Sequence, residues 1–187
     1  MASSSTPRAR LDGKRAVIYG GGTGLGLACA EALMQAGAAV FITGRRREKL
    51  AEAAGRLAAF GRIGLSEGDF TRESDVARVT AEAVAFLGGI DTLVVSSGRS
   101  SIGSIFAATP ADFQAVMDTN LLGPFLAVRA AAPHLVACAP SSVILMASVV
   151  GVVAMRERVA YCTSKAGLLG MTRALALDFA AIGRCKI

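Results

Sequence analysis

Short apolar runs alternate along the chain with longer stretches whose apolar positions recur every three to four residues. The short runs predict strands at Arg15–Tyr19, Ala39–Thr43, Ile63–Glu67, Thr92–Ser96 and Ser142–Ala147. The longer periodic stretches predict helices at Gly24–Ala36, Arg47–Ala59, Thr71–Phe86, Pro110–Asp118, Leu121–Val136 and Ala160–Ala181. Thr109-Pro110-Ala111-Asp112 has the chemistry of a helix start, with a hydroxyl at the N-cap, proline at the first helical position and a carboxylate able to reach back. Strand–helix alternation of this kind predicts right-handed crossovers and an α/β fold: a doubly wound parallel sheet in three layers, with helices on both faces. Small and polar residues follow every predicted strand: the glycine run Gly20–Gly26, then Gly44-Arg45-Arg46-Arg47, Gly68-Asp69-Phe70, Ser96-Ser97-Gly98 and finally Ser148 at the end of the fifth. In such a sheet, ligands bind at the carboxyl ends of the strands.

Composition narrows the setting. A chain of 187 residues is one domain by length, with residues 1–10, rich in serine and arginine, expected to be a mobile N-terminal arm and the folded domain running from Leu11 to residue 187. A hydrophobic fraction of 53% suits strands buried on both faces. The longest apolar run, Val143 to Met155, is interrupted by Ser148 and Gly151 and falls short of the ~18 residues that cross a bilayer, so no membrane span is expected. Four cysteines (Cys29, Cys138, Cys162, Cys185) form no CxxC, and His134 is the single histidine. That pattern argues against a zinc site or a disulfide framework and points to a reducing, cytoplasmic compartment. The net charge of +6 is not arranged as a basic stripe interleaved with aromatics, and tryptophan is absent, so nucleic acid is not an expected partner.

The glycine run carries the first candidate chemistry. Gly20, Gly24 and Gly26 stand between a strand and a helix, with Gly22, Thr23 and Leu25 completing the loop. Glycines there allow a sharp turn and a close approach of a pyrophosphate to the N–H groups of the helix start. A flexible turn is the bland alternative; the position between a strand and an amphipathic helix favours a dinucleotide. No Gly-Lys-Ser/Thr closes the run, so it is not a P-loop. At the second strand end, where a carboxylate would bind the ribose 2′-hydroxyl of NAD, stands Gly44 followed by three arginines. Cations at a helix N-terminus oppose its dipole unless an anion neutralises them. A 2′-phosphate would do so, which favours NADP over NAD, with Arg45 and Arg46 as ligands; a solvated basic face beside Glu48 is the alternative. Asp69, beside Phe70, is a candidate acceptor for the adenine amino group or else an exposed turn aspartate, and Ser97 and Gly98 belong to the same bed.

Tyr161 and Lys165 are spaced i, i+4 on a predicted helix and would share a face. A cation beside a phenol favours the phenolate and makes it a usable proton donor and acceptor nearer neutrality. Ser148, at the mouth of the fifth strand, could donate to the same carbonyl oxygen that Tyr161 would protonate. No G-x-S-x-G elbow surrounds Ser148, and His134 reads as a surface or capping residue, so a hydrolase nucleophile is disfavoured.

With these residues assembled, the chain resembles the short-chain dehydrogenase/reductase family from Leu11 onwards. LDGKRAVIYGGGTGLG is similar to its opening strand and TGxxxGxG loop, DTLVVSSG occupies the place of its NNAG segment, DTNLLGPF matches the helix with its catalytic asparagine, and Ser148 with Tyr161 and Lys165 match its Ser and YxxxK. The resemblance implies a Rossmann-like fold and hydride transfer between NADP(H) and a small or medium carbonyl or secondary-alcohol substrate. Tyr161 would be the general acid/base, Lys165 would lower its pKa and bind the nicotinamide ribose, Ser148 would polarise the carbonyl, and Asn120 would hold a water linking Lys165 to solvent. A homodimer or homotetramer through the Leu121–Val136 helix is expected, and a dinucleotide-binding sensor or scaffold without catalysis is the rival. Tyr19 stands where the family has threonine, and Val95-Ser96-Ser97-Gly98 where it has Asn-Asn-Ala-Gly. The sequence stops at GRCKI, where the sixth strand of relatives begins, so the C-terminal substrate-binding part is expected to lie outside this chain.

Overall fold

The computed structural model describes residues 10–182 and 185–187. Strand β1 (Arg15–Tyr19) lies between two parallel neighbours, β2 (Ala39–Gly44) and β4 (Thr92–Val95). Beyond β2 lies β3 (Ile63–Glu67); beyond β4 lie β5 (Ser141–Leu145) and the two-residue β6 (Cys185–Lys186), giving the order β3-β2-β1-β4-β5-β6. All pairings are parallel, so each link is a crossover through one or more helices: α1 (Gly24–Gln35), α2 (Arg47–Leu57), α3 (Glu73–Leu87), α4 (Pro110–Met117), α5 (Gly123–Ala137) and α6 (Val159–Ile182). The chain leaves β1 towards β3 and then returns to the other side at β4; that switch point opens a crevice at the carboxyl edge. Of the expected N-terminal arm, residues 1–9 lie outside the described residues, and exposed Arg10 pairs with Asp12 at 2.7 Å. Among the described residues no helix is long and apolar enough to cross a membrane.

The period-two alternation of the strands divides the core. Ala16, Ile18, Val40, Ile42 and Val94 pack against Ala30 and Met34 of α1 and Leu50, Ala53 and Leu57 of α2. Val17, Tyr19, Phe41, Leu93 and Val95 turn to the opposite face, against α3, α5 and Phe179 of α6. The amino edge is fixed by Asp91, whose buried carboxylate accepts from the Arg15 backbone N–H and Nε, each at 3.1 Å, and from the Thr92 hydroxyl at 3.0 Å.

Two differences from the sequence reading bear on the site. β5 begins one residue earlier than expected and ends at Leu145, because β4 ends at Val95 and the last rung, Met146 N–H to the Val95 carbonyl at 3.0 Å, has no neighbour beyond it. Ser148 therefore does not end the strand: it is the N-cap of a 3-10 turn at Val149–Gly151. Helices α4 and α5, expected as separate, are joined by a π turn at Asp118–Leu122, an insertion that often re-aims a functional side chain. The Thr109 cap forms as expected, its hydroxyl accepting from Asp112 N–H at 3.1 Å, while the Asp112 carboxylate reaches back to that hydroxyl at 2.7 Å.

Candidate active site

The carboxyl edge holds a cleft of about 360 Å3 running from the loop after β1 to the loop after β4. Gly20, Gly22, Thr23, Gly24 and Leu25 form one wall, Arg45 and Arg46 one end, and Phe70, Ser97 and Gly98 the remainder. Glycine is required at two of these positions for different reasons. Gly20 has φ +84°, and a Cβ there would stand 2.6 Å from Ser97 Oγ. Gly24 has φ +55° and looks onto open space, with no protein atom within 4 Å of a Cβ. Gly26 does not line the cleft: it is buried where helix α1 meets the turn, and a Cβ would overlap the Gly20 carbonyl oxygen.

The charge of the cleft is one-sided. Arg45, Arg46 and Lys49 line it and no acidic side chain does. Lys49 pairs with Glu52 at 2.8 Å, whereas Arg45 and Arg46 are exposed and have no ion-pair partner among the described residues. Asp69 stands outside this cleft: one carboxylate oxygen accepts from the Thr71 N–H at 3.0 Å and its hydroxyl at 2.8 Å, which favours the turn reading.

At the Gly98 end the cleft meets a second group of side chains. A Cβ on Gly98 would lie 3.5 Å from Asn120 Oδ1 and 3.7 Å from Lys165 Nζ. Asn120, on the π turn, is buried; its Oδ1 accepts from Arg99 N–H at 2.8 Å, and its Nδ2 donates to the Arg99 carbonyl at 2.9 Å and to Ser164 Oγ at 2.8 Å. Lys165 is also buried, donates to the Met146 carbonyl at 2.6 Å, and stands 5.9 Å from the centre of the Tyr161 ring, so the i, i+4 pair does share a face. Burial of the Lys165 ammonium pushes its pKa below the ordinary lysine value. Ser148 is half-buried and accepts from Val150 N–H at 3.4 Å, which leaves its own proton for another acceptor. The turn that follows packs tightly on α6: a Cβ on Gly151 would come 2.8 Å from the Lys165 carbonyl oxygen.

The profile of the short chain dehydrogenase family matches residues 14–183. The chain belongs to this family. Short chain dehydrogenases are NAD(P)-dependent oxidoreductases, and relatives of this member carry dehydrogenase names. It is 35% identical over 178 residues to galactitol 2-dehydrogenase of Rhizobium johnstonii, covering 91% of this chain and 68% of that one. Among solved structures it is similar to the Pseudomonas aeruginosa RhlG/NADP active-site complex, with a TM-score of 0.91, 30% identity and coverage of 97% and 73% of the two chains. It is also similar to an NADPH-bound short chain oxidoreductase of Pseudomonas aeruginosa PAO1 described as containing an atypical catalytic center, with a TM-score of 0.93, 26% identity and coverage of 96% and 70%.

Two departures of this short chain dehydrogenase from the family motifs acquire a structural account. Tyr19 turns away from the fourth strand: its buried hydroxyl lies 3.3 Å from Thr80 Oγ1, its ring centre 6.1 Å from that of Phe70, and burial raises its pKa. Phe70 in turn sits on Gly123, where a Cβ would overlap the ring. After β4 the backbone at Arg99 is held on both its N–H and its carbonyl by the Asn120 amide. Lys49, Leu50 and Thr119 also line the cleft and were not singled out in the sequence. Only Lys49 carried a usable signal, as a further cation in the first turn of the helix that Arg46 caps.

Proposed function

We propose that this chain is an NADP(H)-preferring reductase or dehydrogenase acting on a carbonyl or secondary alcohol. The observation that carries the reading is Gly98, which lines the glycine-walled cleft and where a Cβ would stand within 4 Å of both Asn120 Oδ1 and Lys165 Nζ. A cleft walled by glycine backbone, with three cations and no carboxylate, fits a dinucleotide bearing an additional phosphate. Gly20, Gly22, Thr23, Gly24 and Leu25 would take the pyrophosphate side, Arg45 and Arg46 the 2′-phosphate, Phe70 the adenosine side, and Ser97 and Gly98 the nicotinamide side. The NADP-bound state of the similar RhlG structure supports the same cofactor here. When bound, NADP(H) supplies or accepts the hydride.

The chain's own residues handle the proton and the oxygen. Tyr161 would give its hydroxyl proton to the substrate oxygen during reduction and take it back during oxidation. Lys165, 5.9 Å from the Tyr161 ring centre and tied to the Met146 carbonyl, would set a cation near that phenol and would hold the nicotinamide ribose. Ser148 would donate its remaining proton to the same substrate oxygen. Asn120 braces the Arg99 backbone and keeps one acceptor lone pair on Oδ1 for a water next to Lys165. Four free thiols suit a reducing cytoplasm. An apolar groove of about 230 Å3 between α5 and α6, with Phe125, Val136, Leu175 and Phe179 among its walls, supports association with a second copy as a homodimer or homotetramer.

The test is consumption of NADPH against a panel of ketones and aldehydes, with NADPH binding measured in parallel. Turnover of at least one carbonyl is expected. Saturable NADPH binding with no turnover would favour the sensor or scaffold instead.

A further inference from the structure

Ser164 lies between Tyr161 and Lys165 in sequence, is 0% exposed, and has no part in the chemistry above. Its hydroxyl accepts from Asn120 Nδ2 and donates to the Tyr161 carbonyl, both at 2.8 Å. The directions are forced, because an amide nitrogen only donates and a carbonyl only accepts, so the single hydroxyl proton must go to Tyr161. The Asn120 amide is equally fixed. Flipping it would break its bonds to the Arg99 N–H and to the Arg99 carbonyl, and Ser164 could then bond it only by giving up the Tyr161 carbonyl.

An unbroken line of hydrogen bonds therefore runs from the backbone after β4, through the π turn, to the helical turn that presents Tyr161 and Lys165. Chain connectivity alone does not set the distance between the Gly98–Arg99 loop and α6, which belong to separate parts of the chain. On the β5 side Lys165 is tied through the Met146 carbonyl; on the β4 side the tie passes through Ser164. We propose that Ser164 is a positioning residue that couples the loop at the nicotinamide end of the cleft to the acid/base pair on α6. Its effect on turnover rests on the oxidoreductase reading; its effect on the loop does not.

Ser164→Ala removes the hydroxyl and keeps a strong helix former, so the variant folds. Asn120 then has a buried N–H without a partner, and its hold on Arg99 loosens. Since misplacing reacting groups by an ångström costs on the order of 100-fold, kcat for NADPH-dependent carbonyl reduction is expected to fall roughly 10- to 100-fold. The Kd for NADPH should stay within about twofold, a split expected of a group that acts on the reacting geometry rather than on uniform binding. Hydrogen exchange gives a readout free of activity: the Arg99 amide, bonded to Asn120 Oδ1, should exchange about tenfold faster in Ser164→Ala, while α6 amides beyond Leu168 keep the wild-type rate. Unchanged Arg99 exchange overturns the proposal whatever kcat does, and so does faster exchange spread over all of α6, which would mean a generally loosened helix. Faster Arg99 exchange with kcat unchanged overturns the positioning role. If the wild-type chain turns over no carbonyl yet Arg99 responds locally, the coupling stands and the oxidoreductase reading is what falls.

Discussion

The two halves of the site are built from different materials. The half after β1, β2 and β3 works through backbone: Gly20 and Gly24 adopt positive φ, Gly26 lets α1 close on the turn, and Arg45 and Arg46 are exposed with no ion-pair partner among the described residues. The half after β4 and β5 works through buried side chains: Asn120, Ser164 and Lys165 are almost fully enclosed and hydrogen-bonded to backbone from three separate segments. A dinucleotide is long, charged and common to many proteins, so open N–H groups and exposed cations suffice to hold it. Proton transfer tolerates little displacement, and on the proposed reading the enclosed Asn120, Ser164 and Lys165 hold the helical turn that carries Tyr161. The contrast predicts that changes in the first half act mainly on affinity and changes in the second mainly on rate.

Lys165→Met should break the second half most severely. It keeps the buried volume but removes the cation, and kcat is expected to fall on the order of 100- to 10,000-fold, the usual span for a group serving general acid/base catalysis. Steady-state assay beside NADPH titration would check it. Gly26→Ala should break the first half: its Cβ overlaps the Gly20 carbonyl, so the turn must shift. A loss of about 1–3 kcal/mol in urea-unfolding stability is expected from such overpacking, together with weakened NADPH binding. A milder effect is expected of Arg45→Asp. Replacing the cation by an anion should shift the ratio of NADPH to NADH affinity by about tenfold or more, since one charge-assisted contact is worth roughly 1.5–3 kcal/mol. Equal losses for both cofactors would remove Arg45 from the phosphate site.

The smallest effect is on stability against pH. Burial holds the Lys165 pKa below its ordinary value, whereas in the unfolded chain it titrates near 10.4. Between those two values the unfolded chain binds more protons than the folded one, so this residue makes stability rise as pH climbs through that window. Urea unfolding at a series of pH values should show the wild type gaining on Lys165→Met as the pH approaches about 10.4 from below. A constant gap would contradict burial as the cause.

Much of the first half was legible from sequence because it rests on residue types with few other uses. A glycine run between a strand and a helix, and arginines where a carboxylate is usual, state their requirements locally. Strand positions were legible for a similar reason: Ala16 and Ile18 must face α1 and α2 while Val17 and Tyr19 face the other layer. The Tyr161–Lys165 pair followed from helical spacing. What spacing does not reveal is how separate elements meet. The π turn was invisible because Asp118–Leu122 carries no breaker and only Thr119 and Asn120 separated the two predicted helices. Asp69 offered a carboxylate at the right strand end, and only the fold shows it turned onto Thr71. Ser164 gave no periodic signal, since its importance lies in a contact with Asn120 across 44 positions of sequence.

The account stands or falls on Tyr161 as the group that moves the proton while the cleft holds the cofactor independently. Tyr161→Phe, followed in one experiment by NADPH titration and by kcat on any carbonyl the wild type reduces, tests this most directly. The expected result is a Kd within about twofold of wild type and a kcat lower by roughly 100-fold or more. Retention of wild-type kcat by Tyr161→Phe would contradict the account.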